Sequence, residues 1–319
     1  MSNEIEIKTY TYKSGAIYEG TFDGSLRSGR GHWQHPQGEI YEGEYVNNLQ
    51  EGLGIYLFPS TGKRYLGHWR GGQMHGEGVY YFNDACTVFY FGDYAKDKKD
   101  GEGFYMYATG VLTLQRWESG KLLSEEEASP LQVVNTFIRV KTLFEAVRLV
   151  APRELGEVPP PSDVHTFQFT SGPTYTGQYF GTKKHGQGYW LHPEGDSYEG
   201  QFEFNVHCGW GVYIIGGSRK RYVGEWRDGK MNGIGVYFFD PAEKEYFVGV
   251  YQDDTKHGRG LYHFAESGES KVQLWNRGTL VQETVADAKL EAKYVEAVKK
   301  IIETVKPYAP NYESMFKSK

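Results

Sequence analysis

Three shortages narrow the class of this sequence. Two of its 319 residues are cysteine, Cys86 and Cys208, too few for a disulfide framework, and that count points to a reducing compartment. No stretch approaches the roughly 18 consecutive apolar residues of a membrane-spanning helix, and mean hydropathy is -0.61. Basic side chains number 35 against 41 acidic ones, a formal net charge of -6, whereas a protein that tracks nucleic-acid phosphates carries a basic excess. There is no N-x-S/T acceptor, and MSNEIEIKTY lacks the basic head and apolar core of a signal peptide. These absences predict a soluble cytoplasmic protein with no nucleic-acid partner.

Two residue classes are in excess. Glycine supplies 41 of the 319 residues, close to twice the usual ~7%. Aromatics reach 16%, with 26 Tyr, 18 Phe and 7 Trp. A disordered chain would be poor in aromatics, and a collagen would carry more proline than 12 residues. Glycine and rings rising together predict repetitive β structure in which rings need small neighbours.

A repeat explains both. Aromatic-x-Gly-x-aromatic, followed by six residues and Gly-x-Gly, occurs eight times, starting at Tyr18, Tyr41, Tyr65, Tyr90, Tyr175, Tyr198, Tyr222 and Phe247. Its glycines run from Gly20, Gly29 and Gly31 to Gly249, Gly258 and Gly260 and account for 24 of the 41. Starts lie 23, 24 and 25 residues apart in both halves, and the halves map onto each other with a shift of 157. The flanks follow: Trp117 and Gly120 match Trp275 and Gly278. The chain is a tandem duplication of one module of about 158 residues.

Within a repeat, Y-E-G-T-F alternates with period two, as a strand does. Tyr18, Gly20 and Phe22 then share one face. The glycine between two aromatics is expected to leave a slot where a ring from the adjoining strand lies on backbone, despite glycine's entropic penalty of ~0.5–1 kcal/mol. The connection Asp23 to Ser28 makes each repeat a hairpin, and turns such as Pro36-Gln37-Gly38 join one repeat to the next. The product is a β-meander of eight or nine strands per module, roughly 40 Å across at ~4.8 Å per strand.

The segments YEGTFDGSLRSGRG, YEGEYVNNLQEGLG, YLGHWRGGQMHGEG and YVGEWRDGKMNGIG resemble MORN (membrane occupation and recognition nexus) repeats. The resemblance covers roughly 10–120 and 167–278. It implies two tandem single-layer antiparallel β-meanders, grooved and twisted, that act as a non-enzymatic scaffold. The last copies, at Tyr90 and Phe247, and the half-repeats around Trp117 and Trp275 fit least well, as capping units should. Family members of this length without a catalytic extension are often cytoskeletal, so the resemblance implies a protein partner in a larger assembly, with a ciliary or flagellar axoneme or radial spoke as the first expectation. The alternative it implies is a peripheral membrane tether that binds phosphoinositide, against which the acidic net charge weighs.

Helices fill the gaps. Ser129-Pro130 is an N-cap with proline at the first helical position, and Val133, Phe137, Val140, Phe144 and Val147 give one apolar face. Pro152 ends that helix, and Pro159-Pro160-Pro161 predicts a stiff linker. A second amphipathic helix is expected from Val285 to Val305, striped by Leu290, Tyr294, Ile301 and Val305 and stopped by Pro307. The domains are therefore expected at 4–124 and 163–283 for the arrays, 125–162 for helix and linker, and 284–319 for the last helix and tail.

No chemistry stands out. His75, His185 and His257 share one loop-end position, where a structural role outweighs a metal or catalytic one, and neither C-x-x-C nor H-E-x-x-H occurs. No Gly-x-Gly lies in a nucleotide-binding motif, and no Ser-His-Asp arrangement can be nominated. No enzyme activity, cofactor, metal or small-molecule substrate is predicted. Glu19, Glu42 and Glu199 face away from the signature aromatic, where a solvated charge is expected, and Lys96 to Asp100 reads as a solvated loop. Lys63-Arg64 and Arg219-Lys220-Arg221 recur at one place in each module. They could contact acidic tubulin tails or lipid headgroups, although solvated charges on an exposed turn are the commoner outcome. A single-layer sheet cannot hide both faces, so Tyr41, Tyr65 and Trp69, and Tyr198, Tyr222 and Trp226, are expected to form an open partner-binding face. The module's own helix competes for that face. The outermost strands, expected at Glu4 to Tyr12 and Lys271 to Trp275, offer edge pairing as a second binding mode.

Overall fold

The computed structural model describes residues 7–156 and 162–311. It is mainly β, with two eleven-stranded antiparallel sheets in which each strand pairs with its neighbours in sequence. The first sheet starts with β1 (Ile7–Thr11), β2 (Ile17–Asp23) and β3 (Leu26–Gln34) and ends at β11 (Lys121–Glu127). The second starts with β12 (His165–Gln168), β13 (Thr174–Phe180) and β14 (Lys183–Leu191) and ends at β22 (Thr279–Val285). Two compact units result, one holding the first sheet with most of the first helix, the other the second sheet with the last helix.

Each sheet has more strands than the eight or nine expected. Among the additions are β11 and β22, which expose every residue, so no hydrophobic alternation marked them. The edges are therefore β1, β11, β12 and β22. Lys271 to Trp275 is not an edge, because Val272 pairs with Leu261 on one side and Thr284 on the other. Residues 4–6 of the other expected edge, and the proline linker Pro159-Pro160-Pro161, lie outside the described residues. The expected six-residue connections are mostly strand. Phe22 already pairs with Arg27, and the turn contracts to two residues, such as Asn47-Asn48 at φ 50° and 72°.

The signature glycines serve two purposes. The first glycine of every Gly-x-Gly pair has φ between +57° and +95°, the left-handed region that an L side chain rarely adopts. The other two glycines make room for a ring. That ring comes from the same strand, not from the adjoining one as expected. Tyr18 lies over Gly20, two residues on, and over Gly31, which pairs with Gly20 across the ladder. A Cβ on Gly20 would sit 2.6 Å from the Tyr18 hydroxyl. The register shifts between Gly20 and Phe22, and an equivalent shift occurs in all eight repeats. The bulge frees the Thr21 carbonyl, and the Tyr18 hydroxyl donates to it at 3.1 Å. Tyr41, Tyr65, Tyr175, Tyr198 and Tyr222 repeat this bond at 2.9–3.1 Å. The last copies lose it: the Tyr90 hydroxyl is buried without a partner, and Phe247 has none to offer.

Helices lie on the opposite face of each sheet. α1 (Pro130–Arg148) begins at a capping box in which Ser129 and Gln132 bond each other's backbone N–H. Its buried apolar residues are Val134, Leu143 and Val147. Of the expected stripe only Val147 is buried, and Val133, Phe137, Val140 and Phe144 are half-buried. α1 is followed by one short turn, α2 (Pro152–Leu155). α3 (Ala288–Val305) starts later than expected because β22 runs to Val285, and Asp287 caps it through the Leu290 N–H at 2.8 Å. It buries Tyr294, Ala297, Ile301 and Val305 against the strands between Val206 and Gln252. There Val212, Val223, Val236 and Val248 alternate with the ring-bearing positions and are buried.

Gly78→Ala and Gly235→Ala place a Cβ inside contact distance of the Tyr65 and Tyr222 rings. Each is expected to cost roughly 1–3 kcal/mol by overpacking, read as a lowered Tm. Gly217→Ala, where nothing lies within 4 Å, is the matched neutral control. A Gly78→Ala protein that melts with the wild type would show that the ring is not seated on backbone.

Candidate functional site

The six rings expected to form an open face do not. Tyr41, Tyr65 and Tyr198 are 0% exposed, Tyr222 is 1%, and Trp69 and Trp226 are 7%. Each tyrosine lies flat on its glycines and meets the next ring edge-on. Trp69 stands 5.2 Å from both Tyr41 and Tyr65 at 86° and 89°, and Trp226 repeats this at 5.3 Å from Tyr198 and Tyr222. Their indole N–H groups reach the Gly54 and Gly211 carbonyls. Edge-to-face pairs of this kind add ~0.5–1.5 kcal/mol beyond area burial. Among the described residues no second layer covers this face, so the sheet builds its own core there. Burial drives the phenol pKa of Tyr18 up to about 12, and those of Tyr41 and Tyr65 higher still.

The open layer is a second row of rings. Two residues past each Gly-x-Gly pair stands an aromatic: Trp33, Tyr56, Tyr80 and Tyr105, then Trp190, Tyr213, Tyr237 and Tyr262. Each pairs across the ladder with a signature ring, as in Tyr18 with Trp33 and Phe247 with Tyr262. All eight are half-buried and pack on the inner row. A further ring two residues on often extends them: Tyr56 with Phe58 at 4.6 Å, Tyr80 with Phe82 at 4.9 Å, Tyr237 with Phe239 at 4.8 Å. The result is a ribbon of partly open aromatics along each array. The signal lay in the repeat itself, since all eight copies continue Gly-x-Gly-x-aromatic.

The groove also takes up the residue two places before Gly-x-Gly. Lys99 and Lys256 occupy this position in the last repeats. The Lys99 ammonium lies 4.1 Å from the Tyr90 ring centre and 4.3 Å from Trp117, and Lys256 lies 4.4 Å from Phe247 and 4.5 Å from Trp275. The segment Lys96 to Asp100 is therefore not a wholly solvated loop. Desolvation pushes both amines down to about 8. His207 stacks on Tyr198 at 3.7 Å and 13°. Burial, with the nearby Lys184 charge, pushes its imidazole down to about 4.

Of the three carboxylates expected to be solvated, Glu19 is exposed as expected, whereas Glu42 and Glu199 are buried. Glu42 is 6% exposed, and its carboxylate accepts the Arg153 and Glu154 N–H groups at 3.1 and 2.8 Å. His32 pairs with Glu154 beside it at 2.9 Å, and Glu19 pairs with Arg153. Glu199, 5% exposed, accepts the Asn311 backbone and side-chain N–H groups, the side chain at 2.7 Å. Each carboxylate clasps the segment that follows its helix. Both pKa values are raised because desolvation outweighs these hydrogen bonds.

The basic clusters are also tied down. Arg64 bonds the Asp84 carboxylate at 2.6 Å and its carbonyl at 3.1 Å. Arg221 is 1% exposed, pairs with Glu243, and lies 5.0 Å from the Phe238 ring centre. Lys63, Arg219 and Lys220 are half-buried. These are bridges between neighbouring hairpins, and an open cationic patch formed by all five is excluded by the burial of Arg221. Among the described residues no cluster of His, Cys, Asp and Glu could hold a metal. No described helix is long and apolar enough to cross a membrane.

His207 makes stability depend on pH. Its folded-state pKa lies below the ordinary value of 6.5, so its share of stability is complete above pH ~6.5 and is lost as pH falls to about 4, at most about 3 kcal/mol. His207→Met, which installs the residue found at the equivalent Met74 and Met231, is expected to flatten the Tm profile between pH 7 and 4. Parallel profiles for variant and wild type would refute a buried neutral imidazole.

Comparison with known proteins agrees with this architecture. The model of the MORN repeat family matches residues 18–40, 41–63, 65–87, 90–111, 175–197, 222–240 and 247–268. The eighth copy, from Tyr198, is not matched but forms the same bulged hairpin, with Gly200 opposite Gly211. Alsin of Mus musculus is 36% identical over 106 residues, 32% of this chain and 6% of alsin. ALS2 C-terminal-like protein of Homo sapiens is 34% identical over 104 residues, 31% of this chain and 10% of that one. MORN repeat-containing protein 3 of Xenopus laevis is 29% identical over 75 residues, 22% of this chain and 32% of that one. The chain thus spans a small part of the length of the curated relatives it matches. With seven matched repeats and an eighth of the same geometry, each a bulged hairpin with its ring seated on paired glycines, the chain is a MORN-repeat protein.

Proposed function

We propose that this protein is a non-enzymatic scaffold that holds an extended protein segment along its aromatic ribbons. The eight half-buried rings of the outer row carry this reading. Partly exposed rings that already rest on a rigid inner row lose little side-chain freedom on binding, and desolvating several of them at ~25 cal/mol per Å² supplies more affinity than a few edge hydrogen bonds at ~0.5–1.5 kcal/mol each. The helices leave this face open because they occupy the other. MORN repeats serve as interaction scaffolds for proteins or membranes. The setting we propose is cytoplasmic and cytoskeletal, a ciliary or flagellar axoneme such as a radial spoke, in keeping with the family resemblance. The phosphoinositide tether draws less support, because Arg64 and Arg221 are engaged by Asp84 and Glu243.

Cosedimentation with salt-extracted axonemes and flotation with phosphoinositide liposomes separate the two. The scaffold predicts saturable sedimentation with axonemes. Tyr56→Ser with Tyr80→Ser, or Tyr213→Ser with Tyr237→Ser, should weaken it at least about tenfold while circular dichroism stays unchanged. Flotation that persists in these variants, with no sedimentation, would reverse the choice.

A further inference from the structure

The start of the second array holds a cavity of about 990 Å3, near the upper end of the range for small-molecule sites. Phe167 and Phe169 of β12 and its following turn form its apolar wall, and Phe167 is 53% exposed. His165, Tyr179 and Lys184 line it as well. His165, Phe167, Tyr175, Gly177 and Tyr179 share the groove face, as the pairing of Phe167 with Tyr175 and His165 with Gly177 requires.

Two donors, a phenol and an ammonium, line this cavity. The Tyr179 hydroxyl is buried with no hydrogen-bond partner. No carboxylate among the described residues pairs with Lys184. Its ammonium rests only over the rings of Phe202, Tyr175 and Phe169, at 5.4–5.8 Å, and desolvation pushes its pKa down. The equivalent Tyr45, Tyr94 and Tyr251 hydroxyls are unpaired as well, so the polar feature that sets this cavity apart is the half-buried Lys184 ammonium, beside which an anion is favoured. The matching end of the first array lacks this arrangement. Phe22 stands where the second array has Tyr179, and Arg27 stands in place of Lys184, its guanidinium bonded to the Asn48 carbonyl at 2.5 Å.

We propose that this cavity binds a small amphiphile bearing one carboxylate, with the carboxylate held by Lys184 and Tyr179 and the apolar body against Phe167 and Phe169. One ammonium and one phenol suit a monoanion. A phosphate dianion or a polyphosphorylated headgroup would need a denser set of cations than this wall provides. The site is independent of the scaffold reading, since a ligand here leaves the outer ring row of the later repeats unoccupied.

Isothermal titration of the 319-residue chain with decanoate, below its micelle concentration, tests the proposal against decan-1-ol, which has the same tail and no charge. One saturable site per chain is expected, with decan-1-ol at least about tenfold weaker. Lys184→Met should weaken decanoate by about tenfold or more, and Lys184→Arg should retain it. Tyr179→Phe should weaken it several-fold. That variant installs the residue that the first array carries at Phe22, so it keeps the test valid if Lys184→Met melts early. Arg27→Met should leave binding unchanged. Equal affinity for decanoate and decan-1-ol, full binding by Lys184→Met, or no decanoate binding at all would each overturn the proposal.

Discussion

A tyrosine ring lying flat on a pair of glycines is the contact on which this structure depends. An antiparallel sheet brings backbones within ~5 Å of each other in its plane, but a face with no partner layer leaves side chains exposed to water. Here the face supplies its own cover. Gly20 and Gly31 present bare backbone, and Tyr18 folds down onto it. The bulge beside Gly20 frees a carbonyl at the reach of the phenol, so burying the hydroxyl leaves no donor unmade. Each repeat therefore carries its own small core, and the edge-on contact of Tyr41 with Trp69 links one repeat to the next.

The two faces have divided their roles. Against the helices stand Val212, Val223, Val236 and Val248, an aliphatic surface that hides like any domain core. Glu42 and Glu199 fix the segment after each helix through backbone N–H groups, the same device in both modules. The groove face stays uncovered in every described repeat, with a buried inner row and a half-open outer one. Such an arrangement offers rigid aromatic surface without unpaired polar backbone, which suits recognition more than chemistry. Charged side chains that look available in sequence are spent within the array: Lys99 and Lys256 sit in ring boxes, and Arg221 bridges to Glu243.

Duplication has not produced two equivalent grooves. The position two places before Gly-x-Gly reads Arg27, Gln50, Met74 and Lys99 in one module and Lys184, His207, Met231 and Lys256 in the other. Cations hold the ends and uncharged groups the middle, where deeper burial penalises charge more strongly. The neutral imidazole of His207 follows from that rule. The modules also differ at their first repeats, where Tyr179 replaces Phe22.

The repeat, its duplication, the mainly β class and the helix after each array were legible in the sequence, because backbone demands fix them. A left-handed φ at the first glycine of Gly-x-Gly and bare backbone under a ring each exclude other residues, so the pattern is periodic and visible. What the sequence could not assign was which ring fills which slot, since Tyr18 can be placed on either side of Gly20 until the bulge fixes the register. Exposure was likewise undecided. Tyr41 and Tyr56 are both tyrosines on one face, and only the cross-strand pairing seals the first and leaves the second half open. Charge was misleading for the same reason. Glu42, Lys99 and Arg221 read as solvated because their partners, Arg153 and Glu154, Tyr90 and Trp117, and Glu243, come from neighbouring strands, turns or a segment more than a hundred residues away. Local constraints are written in the spacing of the chain, whereas burial is a property of the neighbours that the fold brings together.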